Sequence, residues 1–226
     1  SHFEEYFENP QRIFIEKTYR NPQELIDIAG SFIMKNPKQI RKSLKSPKNL
    51  KKPVKIIYPQ KNPIEKREMI YNLIKDLSKK SEDVLILGRT NNNINQFIKH
   101  RNLVKKGNLK KDKFLRILDK TDKSMNNVYY RTLHSSKGLE ADNVIIINMV
   151  DDYLGFPSKL KTHSVLNYVN TRNYDYKYSE ERRLFYVGLT RSKNNVYLIS
   201  DKNNPSEFIE ELMDDSLENL EIIEYN

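Results

Sequence analysis

Short apolar runs punctuate an otherwise polar chain. Val84–Leu87, Val144–Ile147 and Val196–Ile199 are continuous rather than alternating. Runs of that kind mark strands buried on both faces, as in a largely parallel sheet covered by helices. Arg12–Glu16, Val54–Tyr58 and Val128–Leu133 read as further strands, and the run 196–199 extends to Ser200. Between them lie helical patterns with a shared start signal. Asn21-Pro22-Gln23-Glu24 sets Asn as N-cap, Pro at the first helical position and Glu three after the cap. Leu25, Ile28, Ala29, Phe32 and Ile33 then fall on one face, and Pro37 marks the end. Asn62-Pro63-Ile64-Glu65 repeats the device before Ile70, Leu73, Ile74 and Leu77, and Asn204-Pro205-Ser206-Glu207 opens a C-terminal helix. Glu180–Arg191 reads as a helix that ends near Arg191 and turns into the last core strand. Thr90–Val128 is polar and lysine-rich, with helices expected near Asn93–His100 and Lys113–Asp119. Strands alternating with helices predict an α/β domain with a mostly parallel central sheet.

Charge changes this picture. The 226 residues carry 40 Lys+Arg against 30 Asp+Glu, a net +10 that favours a polyanionic partner. From Ile28 to Ile64 there are ten Lys/Arg and no Asp/Glu; from Asn203 to Asn226 there are eight Asp/Glu and no Lys/Arg. The basic block is either a phosphate-facing stripe or a solvated linker and helix face. With only Phe32 and Tyr58 as aromatics it is not a base-stacking platform. There is no cysteine, hence no disulfide framework or thiolate metal site. No apolar run approaches the roughly 20 residues that span a bilayer. A cytoplasmic location without membrane contact is expected.

The chemistry concentrates in Thr132–Glu140 (Thr-Leu-His-Ser-Ser-Lys-Gly-Leu-Glu), between two strand runs, and in Glu180–Arg191. Loops at strand ends are where doubly wound sheets keep their ligands, and both stretches are expected to face one nucleotide. Taken alone, Thr132–Glu140 could equally be a strand–loop–helix turn capped by Ser135 or Ser136. Arg182, Arg183 and Arg191 could be surface charges with packed stems, although Arg191, beside a core strand, is well placed to project a planar cationic fork. No G-x-x-x-x-G-K-[ST] phosphate loop is present. Asp151-Asp152 after an apolar strand imitates a metal-binding acid, but without a phosphate loop it reads as a loop-starting pair.

Three segments resemble, in order, motifs IV, V and VI of UvrD/Rep-type superfamily 1 helicases. They are Thr18-Tyr19-Arg20 with its Asn-Pro helix, Thr132–Glu140 with its following strand, and Glu180–Arg191. Asn36–Gln39, Gly155–Pro157 and Asn204–Phe208 further resemble the helicase IV type within that superfamily. The resemblance implies a RecA-like three-layer α/β/α domain over 1–226, the second motor domain of a 3′–5′ DNA helicase. It implies that Tyr19 stacks on adenine and that Arg20 and Arg191 face the γ-phosphate as catalytic arginines. Lys137 and Gly138 would belong to the nucleotide loop, and Glu140 would reach the ribose. Thr132 and His134 would lie by single-stranded DNA, as would Arg89 and Asn91 in Gly88–Asn91, which resembles segment IVa. ATP and Mg2+ would be held mainly by an N-terminal phosphate-loop domain of the parent chain, so the fragment alone would be inactive. The 39 residues Thr90–Val128 replace the large accessory insertion of the family. An alternative from the same likeness is an ATPase that remodels a protein complex, such as RNA polymerase or repair proteins, without unwinding.

Overall fold

The computed structural model describes residues 16–39, 43–80, 82–97, 102–106, 115–122, 125, 127–159 and 176–225. Along the chain these form α1 (Gln23–Met34), β1 (Val54–Tyr58), α2 (Pro63–Lys79), β2 (Val84–Gly88), α3 (Asn93–Phe97), β3 (Leu103–Lys106), β4 (Leu115–Asp119) and β5 (Val128–Thr132). A 3-10 turn (His134–Ser136), β6 (Ala141–Met149), α4 (Ser179–Leu189), β7 (Ser192–Ser200), α5 (Glu207–Ser216) and β8 (Leu220–Glu224) follow. The expected strand at Arg12–Glu16 lies outside the described residues except for Glu16.

The sheet order is β3-β4-β5-β2-β6-β7-β1-β8. From β5 to β8 every neighbouring pair is parallel, while β3 and β4 continue the sheet antiparallel beyond β5. Successive strand residues feed opposite layers, because strand side chains alternate. Ile56, Leu85, Leu87, Val144, Ile146, Val196 and Leu198 pack with α1, α4 and α5. Ile57, Val84, Ile86, Ile145, Ile147, Tyr197 and Ile199 pack with α2. This double burial is why the central strands read as unbroken apolar runs, and the architecture is a three-layer α/β/α sandwich.

Two expectations are corrected. Leu115–Asp119, expected within a helix, is strand β4. Leu115, Ile117 and Asp119 alternate inward, and the segment gains ladder partners on both sides. The shared helix-start signal works as drawn only once. Asn62 accepts a bond from the Ile64 amide at 2.9 Å. In α1 Pro22 takes the cap position, leaving Asn21 free for a tertiary role, and Glu24 accepts from the Leu50 amide at 2.8 Å. In α5 Ser206 is the cap, its hydroxyl accepting from the Ile209 amide.

The basic and acidic blocks partly neutralise each other. Lys35 pairs with Asp215 (2.6 Å) and Glu211 (3.4 Å), and Lys55 pairs with Glu221 across the β1–β8 ladder. The phosphate-stripe reading therefore does not extend to these two lysines.

The end of β4 is tied by a buried carboxylate. Asp119 accepts from the Tyr71 hydroxyl (2.5 Å), the Thr121 hydroxyl (2.7 Å) and the amides of Thr121 (2.7 Å) and Asp122 (3.2 Å). Burial pushes its carboxyl up, but these four donors prevail and hold it down at about 2 against an ordinary 3.8. Its stabilising contribution is therefore complete above the ordinary carboxylate value and disappears as pH falls towards 2. Asp119→Asn should lower stability at neutral pH by about 2 kcal/mol. It should also flatten the fall in stability between pH 4 and 2, as read by urea denaturation across that range.

Candidate functional site

All six parallel strands point the same way, so the sheet has two rims. The segment from Thr132 to Glu140 runs from one to the other. It leaves the C-terminal end of β5 and enters β6 at its N-terminal end. A tight turn starts the crossing. The Thr132 and Ser135 hydroxyls meet at 2.8 Å, and the fully buried Ser136 donates its hydroxyl to the Leu133 carbonyl at 2.7 Å. Leu133 and Leu139 are sunk in the core as anchors at either end. Gly138, between Lys137 and Leu139, has φ +82°, a left-handed conformation that strains any L side chain. Gly188 lets α4 approach the crossing. A Cβ there would lie 2.6 Å from Leu133 Cδ2 and 3.0 Å from Ile146 Cδ1.

At the rim where β6 and β7 begin, four charged side chains gather. Arg20 Nε donates to Glu140 Oε2 at 2.7 Å, and Lys193 Nζ lies 3.3 Å from Glu140 Oε1. Arg191 bonds the carbonyls of Val187 (Nε, 2.9 Å) and Leu139 (Nη1, 3.3 Å), and its Nη2 reaches the Thr190 hydroxyl at 3.3 Å. Three cations face one carboxylate, which leaves an excess of positive charge. Burial and then the nearby Arg20 guanidinium push Arg191 down from its ordinary value. Burial pushes the Glu140 carboxyl up, yet bonds from Lys193 and Arg20 hold it below the usual carboxylate range. Tyr19, next to Arg20, is 70% exposed with Lys17 Nζ 5.1 Å from its ring centroid.

Arg20 and Arg191 meet because of Asn21. Its buried amide donates to the carbonyls of Thr190 (3.2 Å) and Ser192 (2.6 Å), straddling Arg191. Neither Asn21 nor Lys193 was singled out as a site residue by sequence reasoning. The Asn-Pro pair was legible only as a helix start, and a lysine in a basic chain carries no signal of its own.

The opposite rim carries Thr132, His134 and Arg89. Arg89 grips Glu181 with Nε (3.0 and 2.9 Å) and Nη2 (2.7 Å), and its Nη1 lies 3.3 Å from His134 Nδ1. His134 Nε2 is 3.8 Å from Glu180. Segments 88–91, 132–140 and 180–191 thus share one network here, with Arg89 largely committed to Glu181. Asn91 and Lys137 are exposed and stand outside it. The structure brings Arg20, Glu140 and Arg191 to one rim and Arg89, Thr132 and His134 to the other. The two dense stretches therefore each touch both edges, and Glu140 and Arg191, one from each stretch, share one of them. Arg182 is no surface charge: it is 3% exposed and forked onto Glu211 among the rings of Phe32, Tyr176 and Phe208. Asp151 and Asp152 lie in an exposed turn, Asp151 pairing with Lys159 at 2.6 Å. Among the described residues no group of three or more His, Cys, Asp or Glu could hold a metal ion, and no helix is long and apolar enough to cross a membrane.

Residues 99–203 match the UvrD-like helicase C-terminal domain. Over 208 residues the chain is 28% identical to DNA helicase IV of Escherichia coli, covering 92% of this chain and 27% of that protein. It is 33% identical over 99 residues to the ATP-dependent DNA helicase PcrA of Bacillus subtilis, covering 39% of this chain and 12% of that one. The crystal structure of the C-terminal domain of a possible DNA helicase from Lactobacillus plantarum superposes with a TM-score of 0.54 at 13% identity. The match covers 92% of this chain and 99% of that chain, a likeness of fold.

Replacing Asn21 by Ala strips the Thr190 and Ser192 carbonyls of a buried donor. The variant should lose about 1–3 kcal/mol, and its midpoint in thermal unfolding should fall by several degrees. A midpoint within one degree of the parent would show that the amide does not pin the two segments.

Proposed function

We propose that this chain, a relative of the UvrD/Rep-type superfamily 1 helicase C-terminal domain, is the second RecA-like motor domain of an ATP-dependent DNA helicase of the helicase IV type. In this reading the parent protein moves 3′ to 5′ on single-stranded DNA. The sequence contains no phosphate loop, so the loop would come from another domain of the parent protein, and the chain would supply the opposing wall. The observation that carries the proposal is the meeting of Arg20, Glu140 and Arg191 at one rim, Arg20 and Glu140 being 120 residues apart.

Two features of these residues support a nucleoside triphosphate as the ligand in this reading. Among the described residues Arg20 commits only Nε, and its terminal nitrogens have no partner there. Two guanidinium groups near enough to repel favour an anion beside them. In this reading Arg20 and Arg191 stabilise charge on the γ-phosphate, Tyr19 offers its exposed ring to the base and Glu140 turns to the ribose. Lys137 and Gly138 shape the loop behind it. ATP would supply the transferable phosphoryl group, with Mg2+ held on the phosphate-loop side. Thr132, His134, Arg89 and Asn91 would line the strand-facing rim. Because one anchored segment, 132–140, joins the rims, domain closure on nucleotide would shift the strand contacts, a coupling between two sites.

In the intact parent protein, Arg20→Ala should lower DNA-stimulated ATP turnover by about 10³-fold or more. Arg20→Lys should recover only part of it, because a lysine cannot reproduce the fork. Arg191→Ala should be at least as damaging, since it also frees two carbonyls. Turnover near that of the parent in both alanine variants would refute the assignment. Intact DNA-dependent turnover without strand displacement would favour remodelling of a protein complex instead.

A further inference from the structure

On the rim that carries Arg89 and His134, three strands along from β2, the ends of β1, β7 and β8 open a crevice of 210 Å³. Its lining includes Lys61, Lys66, Asp201, Lys202, Glu224 and Tyr225. Lys66, at the start of α2, is half-buried, and no hydrogen-bond or ion-pair partner reaches its ammonium among the described residues. The acids nearby are otherwise engaged. Glu224 pairs with Lys202 at 2.5 Å, and Asp201 accepts from the Asn203 amide at 2.9 Å, acting on Lys66 only through space. Burial pushes the Lys66 ammonium down from its ordinary value. A desolvated cation without a counter-ion in contact is costly and is relieved by an anion entering from solvent. The volume falls below the roughly 300 Å³ of pockets that enclose whole cofactor-sized ligands, so it suits a single small group.

We infer that this crevice is a phosphate-binding subsite charged by Lys66 and Lys61, and that it receives a backbone phosphate of the strand proposed to cross the Arg89–His134 rim. Only the source of the phosphate rests on the motor reading. Three strand steps of about 4.8 Å separate β2 from β1, roughly 14 Å along the rim, a span that a few nucleotides bridge. Phosphate contacts of this kind position a strand without reading its sequence.

The test uses the 226-residue chain with two probes, inorganic phosphate followed by phosphorus NMR and fluorescent oligodeoxythymidine followed by anisotropy over a salt series. Lys66→Met keeps the aliphatic stem, and Lys66→Arg keeps the charge. Lys66→Met should abolish the phosphate-induced line broadening and reduce the slope of log K against log salt by about 0.7, with Lys66→Arg restoring both. Thermal unfolding of each variant identifies any loss due to misfolding, which the methionine stem is expected to avoid. Loss of the phosphate response with an unchanged oligonucleotide slope would overturn the strand assignment. No change in either probe would overturn the subsite. Neither measurement needs ATP turnover, so failure of the Arg20 and Arg191 test leaves both readable.

Discussion

The geometry of this domain depends on how α1 is held against α4 and α5. Phe32 meets Phe185 and Phe208 edge-on, each pair with ring centroids 5.0 Å apart, and Phe185 stacks on Phe208 at 5.5 Å. Arg182 closes the cluster, 4.9 Å from the Phe32 ring centroid and forked onto Glu211. Aromatic pairs contribute about 0.5–1.5 kcal/mol beyond their burial. The buried ion pair adds a directional lock whose removal on one side would strand a charge. Arg20 lies just before α1, and Arg191 lies just after α4. Fixing the helices together through their apolar faces therefore fixes where two guanidinium groups emerge, and Asn21 completes the register at the rim.

That register works against ordinary electrostatics. Among the described residues, two arginines and Lys193 crowd together around Glu140. Packing on the core side and carbonyl acceptors for Arg191 offset the repulsion. A folded protein tolerates such a cluster when other contacts over-determine it, and an anion beside it would relieve the repulsion. Glu140 then serves two ends, as counter-ion at one rim and as the last residue of the segment that begins with Thr132 at the other. Leu133 and Leu139, both buried, anchor that segment to the core at each end.

Much of this was legible in the chain. The strands at 84–87, 144–147 and 196–199 were read from apolar continuity, because a parallel sheet covered on both faces leaves no polar alternation. Helix α1 was read from Leu25, Ile28, Ala29 and Phe32. Leu115–Asp119 was misread, since Phe114, Ile117 and Leu118 recur at the i, i+3, i+4 spacing of a helical face, and only pairing with β5 and β3 decides for a strand. Long-range pairings were invisible for the same reason. Nothing in Arg89 or Glu181 alone announces their fork, and Asn21 in sequence is a helix cap rather than a pin across Thr190 and Ser192. Arg182 and Arg191, nine residues apart in one dense stretch, have opposite fates: the first is buried structure and the second half-exposed at the rim.

The uneven charge of the sequence resolves along the same lines. Part of the basic block is consumed internally, Lys35 by Glu211 and Asp215, and Lys55 by Glu221. Lys48, from the stretch that leads into β1, instead reaches the rim cluster from the side, donating to the Lys193 carbonyl and to Asn194 at 2.7 Å. Lys51 and Lys52 remain exposed just before the same end of β1. The positive excess is thereby shifted towards the edge where Arg20, Arg191 and Lys193 already lie. Charges collected at one edge reinforce each other's potential over a Debye length of roughly 8 Å, whereas the same charges scattered would be screened apart. A polyphosphate approaching this edge would meet a summed field before it met any single side chain. The acidic C-terminal segment supplies the partners of Lys35 and Lys55, so the pairing leaves the unpaired positive charge weighted towards that edge.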